Sequence, residues 1–240
     1  MTPTRFPLGE RRFLTVVEAG HADAASLLTH ARQVARESDF LNAGPGERAL
    51  TLAAQAAFLR RLRSGDAGFV LKGMVGRRLV AVLSVVRPAQ PRLHHRAELG
   101  LTVRAAHWGQ GIGRRMGEVA VALATARGVR KLNLRVRADN RRAIRLYLGL
   151  GFSREGRSPR ALCVRGRFFA EVMMGLSTKD PQRGKLARSG RGPAPVGQGT
   201  GRARMQDGAH CHLQAGQGRL GALASETAHP HDVSGLHHFD

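Results

Sequence analysis

The stretch that most constrains this chain is Ala97 to Arg115, AELGLTVRAAHWGQGIGRR. Leu99, Leu101 and Val103 alternate and end on a β-branched residue, which is the period of a strand. Ile112, Met116, Val119, Ala120, Leu123 and Ala124 then follow the i, i+4, i+7, i+8 spacing of one buried helix face. Gly109, Gly111 and Gly113 stand where the loop meets the start of the helix. A glycine-rich loop that opens a helix gathers unpaired backbone N–H groups at the positive end of the helix dipole, an arrangement suited to phosphate. The dinucleotide fingerprint G-x-G-x-x-G is absent, because Met116 occupies the third position, and no P-loop occurs anywhere. Taken alone, the same residues also read as an ordinary loop and helix cap.

The 240 residues suffice for one sizeable domain and a remainder. A net charge of +22 favours anionic ligands and non-specific nucleic-acid contact. A generally arginine-rich composition accounts for much of that surface. Aromatics make up only 5%, base-stacking aromatics are not interleaved with the basic residues, and no nucleic-acid motif appears, so no specific nucleic-acid partner is expected. Cys163 and Cys211 lie far apart without a pairing pattern, which gives no disulfide framework. No apolar run approaches the ~20 residues of a membrane span. The start MTPTRFPLGERR lacks the apolar core of a signal peptide, so a cytoplasmic protein without membrane contact is expected.

In chain order, residues 1–11 read as a loose end and 12–17 as a first strand. Asp23 suits the start of a helix that carries Ala25, Leu27, Leu28 and Val34. A second helix is read over 50–62, and runs at 69–72 and 79–86, joined by 73–78, form a hairpin. The strand at 97–103, the glycine turn and a helix to about 126 follow. Residues 131–136 alternate as another strand, Asp139-Asn140 can cap a helix over 141–148, and short strands are expected near 152–155 and 168–177. The order β, α, α, β, β, β, α, β, α, β, β implies an α/β sheet with helices on its faces. Residues 179–240 are rich in Gly, Pro, Arg, His and Gln without strand or helix period, and read as a disordered tail. The tail's His210-Cys211-His212, His229, His231 and His237-His238 match no defined metal site, and no metal is expected.

The turn Trp108-Gly109-Gln110-Gly111-Ile112-Gly113 resembles the phosphate turn Q/R-x-x-G-x-G/A of the GNAT superfamily of N-acetyltransferases, with Trp108 where the family carries Gln or Arg. Further segments are similar in order and spacing. Leu132 to Val136, then Asn140 and Ala143-Ile144, resemble the second half of the family's coenzyme A site. Leu146-Tyr147 with Gly151-Phe152 resembles L-Y-x-x-x-G-F. Gly166 to Glu171 and Met174 resemble the closing G-x-Y-x-D…M strand, with Phe168 and Ala170 replacing Tyr and Asp. The lead-in His94 to Gly100 looks like the branch acting on amino acids, small amines or protein N-termini. The resemblance covers about residues 10–178.

The resemblance implies one GNAT-like domain with a mixed, mostly antiparallel sheet, splayed between the 97–103 and 131–136 strands. It implies direct acetyl transfer from acetyl-CoA, the cosubstrate, to a small-molecule or peptide amine. Backbone N–H groups of Gln110, Gly111, Ile112 and Gly113 would hold the pyrophosphate, with positive charge from Arg114 and Arg115 beside it. Leu101 and Val103 would pair with the pantetheine arm and Asn140 would touch it; Asn140 also reads as a plain helix cap. Tyr147, the only tyrosine, matches the family's general acid, which is favoured over the reading as a core aromatic. Glu98 is the best candidate for the base, against a surface carboxylate. A non-catalytic coenzyme A sensor and a basic nucleic-acid binder stand as alternative readings. The oligomeric state, a homodimer included, and the acceptor's identity stay open.

Overall fold

The computed structural model describes residues 1–9, 11–47, 51–63 and 66–178. Eight strands form one sheet: β1 (Thr4–Pro7), β2 (Phe13–Glu18), β3 (Gly68–Val75), β4 (Arg78–Val86), β5 (Arg96–Val103), β6 (Lys131–Arg137), β7 (Ser153–Val164) and β8 (Arg167–Ser177). Their spatial order is β1-β2-β3-β4-β5-β6-β8-β7. Only β5 and β6 run parallel; every other neighbouring pair is antiparallel. Helices α1 (Ala24–Glu37) and α2 (Leu52–Arg63) lie on one face of the sheet, and α3 (Ile112–Ala126) and α4 (Arg141–Gly149) on the other. This is the α/β architecture expected from the sequence.

The main core lies between the sheet and α3 and α4. Ile112, Met116, Ala120 and Ala124 of α3, each 0–1% exposed, pack on Leu14, Val16, Leu71, Leu83, Ala97 and Leu132. The regular four-residue recurrence of small and medium side chains is what seats this helix flat on the strands. A smaller core of Leu27, Leu59, Leu62 and Val70 holds α1 and α2. At the start of α1, Asp23 accepts the Gly20 N–H at 2.9 Å and pairs with Lys72 of β3. Thr51 caps α2 by accepting from the Ala54 N–H at 3.1 Å.

Two strand readings need correction. The start of the chain is an edge strand: Phe6 and Leu8 pack against the main core, and Thr4–Pro7 pairs with Phe13–Val16. Its four residues are too few to show an alternating pattern. At the opposite edge, β7 runs to Val164, well past residue 155. Its register shifts between Ser158 and Leu162, around Pro159 and a left-handed Arg160, which erases the period-two signal. The hairpin connection at 73–78 shrinks to Gly76-Arg77, because both strands continue through it. The tail over 179–240, with its histidines and Cys211, lies outside the described residues.

Candidate active site

The sheet opens where β5 meets β6. Their register holds for Arg96↔Lys131, Ala97↔Leu132 and Glu98↔Asn133, and no further. Each strand stays with its other neighbour: β5 pairs with β4 out to Val103↔Ala81, and β6 pairs with β8 out to Arg137↔Glu171. The two halves of the sheet therefore separate beyond Glu98 and Asn133. The Arg104 N–H donates to the Val80 carbonyl on β4 at 2.9 Å. By strand alternation, the polar backbone groups of Leu101 and Val103 point the other way, into the split.

The glycine turn sits at the mouth of this split. Gly109 (φ +77°) and Gly111 (φ +75°) are left-handed, a conformation in which a side chain is strained. The first helical bond of α3 is donated by the Arg115 N–H, to Gly111. Among the described backbone hydrogen bonds, none is donated by residues 109–114. Six consecutive N–H groups are thus left at a helix N-terminus. The two glycines of the motif have different reasons to be there. A Cβ on Gly111 would meet nothing within 4 Å, so its φ is what requires glycine; a Cβ on Gly113 would come within 3.1 Å of Leu146 on α4, so that glycine sets the packing of α3 on α4. Arg114 and Arg115 both pair with Glu118 at 3.0 Å, which offsets part of their charge and, led by the Arg114 hydrogen bond, lowers the Glu118 pKa. The Gln110 side chain folds back onto the Ala106 carbonyl, leaving its buried Oε1 without a partner.

Trp108 anchors the turn. Its indole N–H donates to the Val103 carbonyl at 2.7 Å, and the Arg142 guanidinium stacks on its ring at 3.7 Å. One residue thereby joins the end of β5 to the first turn of α4. Nothing in the sequence around Arg142 announces this contact. Asn140 caps α4, its Oδ1 accepting from the Ala143 N–H at 3.1 Å. A second strap crosses to α1: Glu37 accepts from the Ala105 N–H at 2.8 Å and from Arg104 at 2.9 Å.

Glu98 and Tyr147 stand on opposite faces of the sheet. Tyr147 lies in the α3–α4 core with Ile144, 7% exposed and edge-on to Phe152 with ring centroids 5.7 Å apart. Burial pushes its phenol pKa up to about 12, so the group stays protonated through the neutral range. Ala97 and Leu99 share that face and are buried, whereas Glu98 between them is exposed. Thr102, in the same alternating row as Glu98, hydrogen-bonds His30 of α1 at 2.9 Å, which identifies this row as facing α1 and α2. Asn133, Arg135 and Arg137 of β6 face the same way: Arg137 reaches the Asp39 carbonyl just after α1 at 2.8 Å. The sheet thus carries a buried phenol on one face and a solvent-accessible carboxylate on the other.

Residues 38–152 match the family model described as the acetyltransferase (GNAT) family. None of the curated proteins matches the chain. Among solved structures, an acetyltransferase of the GNAT family from Streptococcus pneumoniae is 27% identical with a TM-score of 0.67, covering 69% of this chain and 99% of its own. The ribosomal-protein-alanine N-acetyltransferase of Brucella melitensis is 22% identical with a TM-score of 0.61, covering 68% and 99%. A phosphinothricin acetyltransferase from Sinorhizobium meliloti, solved with acetyl-CoA, is 17% identical with a TM-score of 0.62, covering 68% and 88%. Residues 38–152, which hold the split of the sheet and the glycine turn at its mouth, thus form an acetyltransferase domain of the GNAT family.

Proposed function

We infer that the chain moves the acetyl group of acetyl-CoA directly to a primary amine, that of an amino acid, a small amine or a protein N-terminus, within a ternary complex. The observation that carries this reading is the opening of the sheet just past Glu98 and Asn133, with Leu101 and Val103 turned into the gap and six unpaired N–H groups at its mouth. The residues fit the cosubstrate. N–H groups of Gln110 to Arg114 suit a pyrophosphate. Leu101 offers an N–H and a carbonyl, and Val103 an N–H, to an amide-bearing arm; the Val103 carbonyl is already taken by Trp108. Asn140 keeps its amide NH₂ for the same arm while its Oδ1 caps α4.

Acetyl-CoA supplies an activated acyl group as a thioester. The amine must be neutral to attack it, while a free alkyl ammonium has a pKa of ~10. Glu98, on the α1–α2 face, takes the proton from the amine. On the α3–α4 face, Tyr147 gives one to the sulfur. The N–C bond forms, the C–S bond breaks, and the net transfer is one proton from nitrogen to sulfur. Each positioned proton transfer is worth roughly 10²–10⁴-fold. Approach from opposite faces keeps the base near the amine and the acid near the thiol without requiring either to switch roles. Initial-rate kinetics of thiol release, with both substrates varied, test this. Intersecting lines and no thiol burst without amine are expected; parallel lines with a burst would show a covalent acyl-enzyme instead.

A further inference from the structure

We propose that Arg135 recognises a carboxylate on the acceptor, so that the substrate is a free α-amino acid and not a protein N-terminus. The proposal rests on the acetyl-transfer reading and names its acceptor. Arg135 lies on β6 two residues beyond Asn133, the last position paired with β5. Its side chain is on the α1–α2 face, in the row of Asn133 and Arg137, the face on which Glu98 is exposed. Two residues advance a strand by ~6.6 Å, a distance an arginine side chain can span. A carboxylate one carbon from an amine held beside Glu98 therefore falls within its reach.

Of the two arginines on β6, Arg135 is the one with its donors free. Arg137 is saturated: it grips both Asp139 oxygens at 2.8 and 2.7 Å, donates to the Asp39 carbonyl, and lies between the Phe40 and Phe169 rings. Arg104 is held by Glu37, and Arg165 pairs with Asp39. Arg135 has only Glu171 nearby, at 4.0 Å, beyond hydrogen-bond range, and its side chain is 46% exposed. Among the described residues it makes no hydrogen bond. Glu171 stands on β8, across β6 from the split, and its carboxylate, the side chain 7% exposed, leaves the Arg135 fork of donors unspent. A guanidinium fork matches a carboxylate in two parallel hydrogen bonds. In a protein N-terminus the atom at that position belongs to a peptide amide, which gives the cation no charge to meet.

The test measures kcat/KM for the L-α-amino acids and for their α-carboxamides, on the intact chain and on Arg135→Gln and Arg135→Lys. The preferred acid is expected to exceed its amide at least ~10-fold, the share of a charge-assisted pair. In Arg135→Gln the acid should turn over no faster than the amide; Arg135→Lys, which keeps the charge without the fork, should fall between. Equal rates for acid and amide in the unaltered protein, or a preference that survives Arg135→Gln, would overturn the assignment alone. No turnover with any acid or amide of the panel, beside acetylation of a simple alkyl amine or a peptide N-terminus, would overturn the assignment and leave acetyl transfer standing; no turnover with those either would contradict acetyl transfer to amines itself.

Discussion

The Trp108 indole donates its N–H to the Val103 carbonyl at 2.7 Å, five residues back along the chain. That bond closes the loop between β5 and the glycine turn. It also removes one of the polar groups that β5 turns toward the split. Trp108→Phe keeps a ring under Arg142 and deletes the donor. The lost hydrogen bond should cost about 1 kcal/mol. In a domain of this size that lowers the melting temperature by ~2–4 °C. As the turn loosens, the Kd for acetyl-CoA should rise ~5-fold, the equivalent of the same energy. Calorimetric titration of the variant checks this, and an unchanged affinity would show that the turn holds its shape without the bond.

Tyr147→Phe removes one hydroxyl from a packed aromatic site and leaves the edge-on contact with Phe152 in place. It should lower kcat by ~10²-fold or more, with the acetyl-CoA Kd and melting temperature nearly unchanged. A wild-type kcat at several pH values would reduce Tyr147 to a core residue.

Glu98→Gln should lower kcat/KM for the amine by ~10²-fold, because the replacement cannot accept a proton. Its exposure argues that the fold tolerates the change. Full activity in the variant would remove the carboxylate from the mechanism.

His30 gives the fold a pH dependence of its own. Burial, reinforced by the nearby Arg104 and opposed by Glu37, lowers its pKa from 6.5 to about 4. The unfolded chain then binds more protons than the folded one between these values. Stability is full above pH 6.5 and declines as the pH falls toward 4, by about 3 kcal/mol from this group. Thermal melts of the wild type and His30→Gln across pH 4–7 isolate this contribution. The variant should lose less stability in that window; parallel curves would contradict a neutral, buried His30.

Much of this architecture is written in local periodicity. Leu99, Leu101 and Val103 and the stripe from Ile112 to Ala124 identify strand and helix because each pattern repeats within one element. Asn140 is legible as a cap because its partner, Ala143, is three residues away. The elements that escape the reading are edges: β1 is too short, and β7 is bent at Pro159 and Arg160. At the hairpin from β7 to β8, Arg165 (φ +50°) and Gly166 (φ +75°) are both left-handed, the two-residue turn that suits the strand twist, yet an arginine there gives no turn signal.

The site divides in the same way. The glycine turn, Tyr147 and Glu98 stand in recognisable local contexts. Arg135 and the straps of His30 to Thr102 and Glu37 to Ala105 do not, because their meaning comes from contacts between distant segments. His30 and Thr102, for example, are 72 residues apart. Nothing in either residue's neighbourhood along the chain announces the other.

The most direct test of the account is thermal unfolding of the chain with and without acetyl-CoA, run beside Gly111→Val. At about 100 times its Kd, acetyl-CoA should stabilise the unaltered protein by ~2.7 kcal/mol. Gly111→Val forces a β-branched side chain into a left-handed turn at the phosphate site, and the shift should shrink or vanish. An upward shift in the first case and its loss in the second would establish the glycine turn at the mouth of the split as the cosubstrate site. No shift in the unaltered protein at millimolar acetyl-CoA would contradict the account at its base.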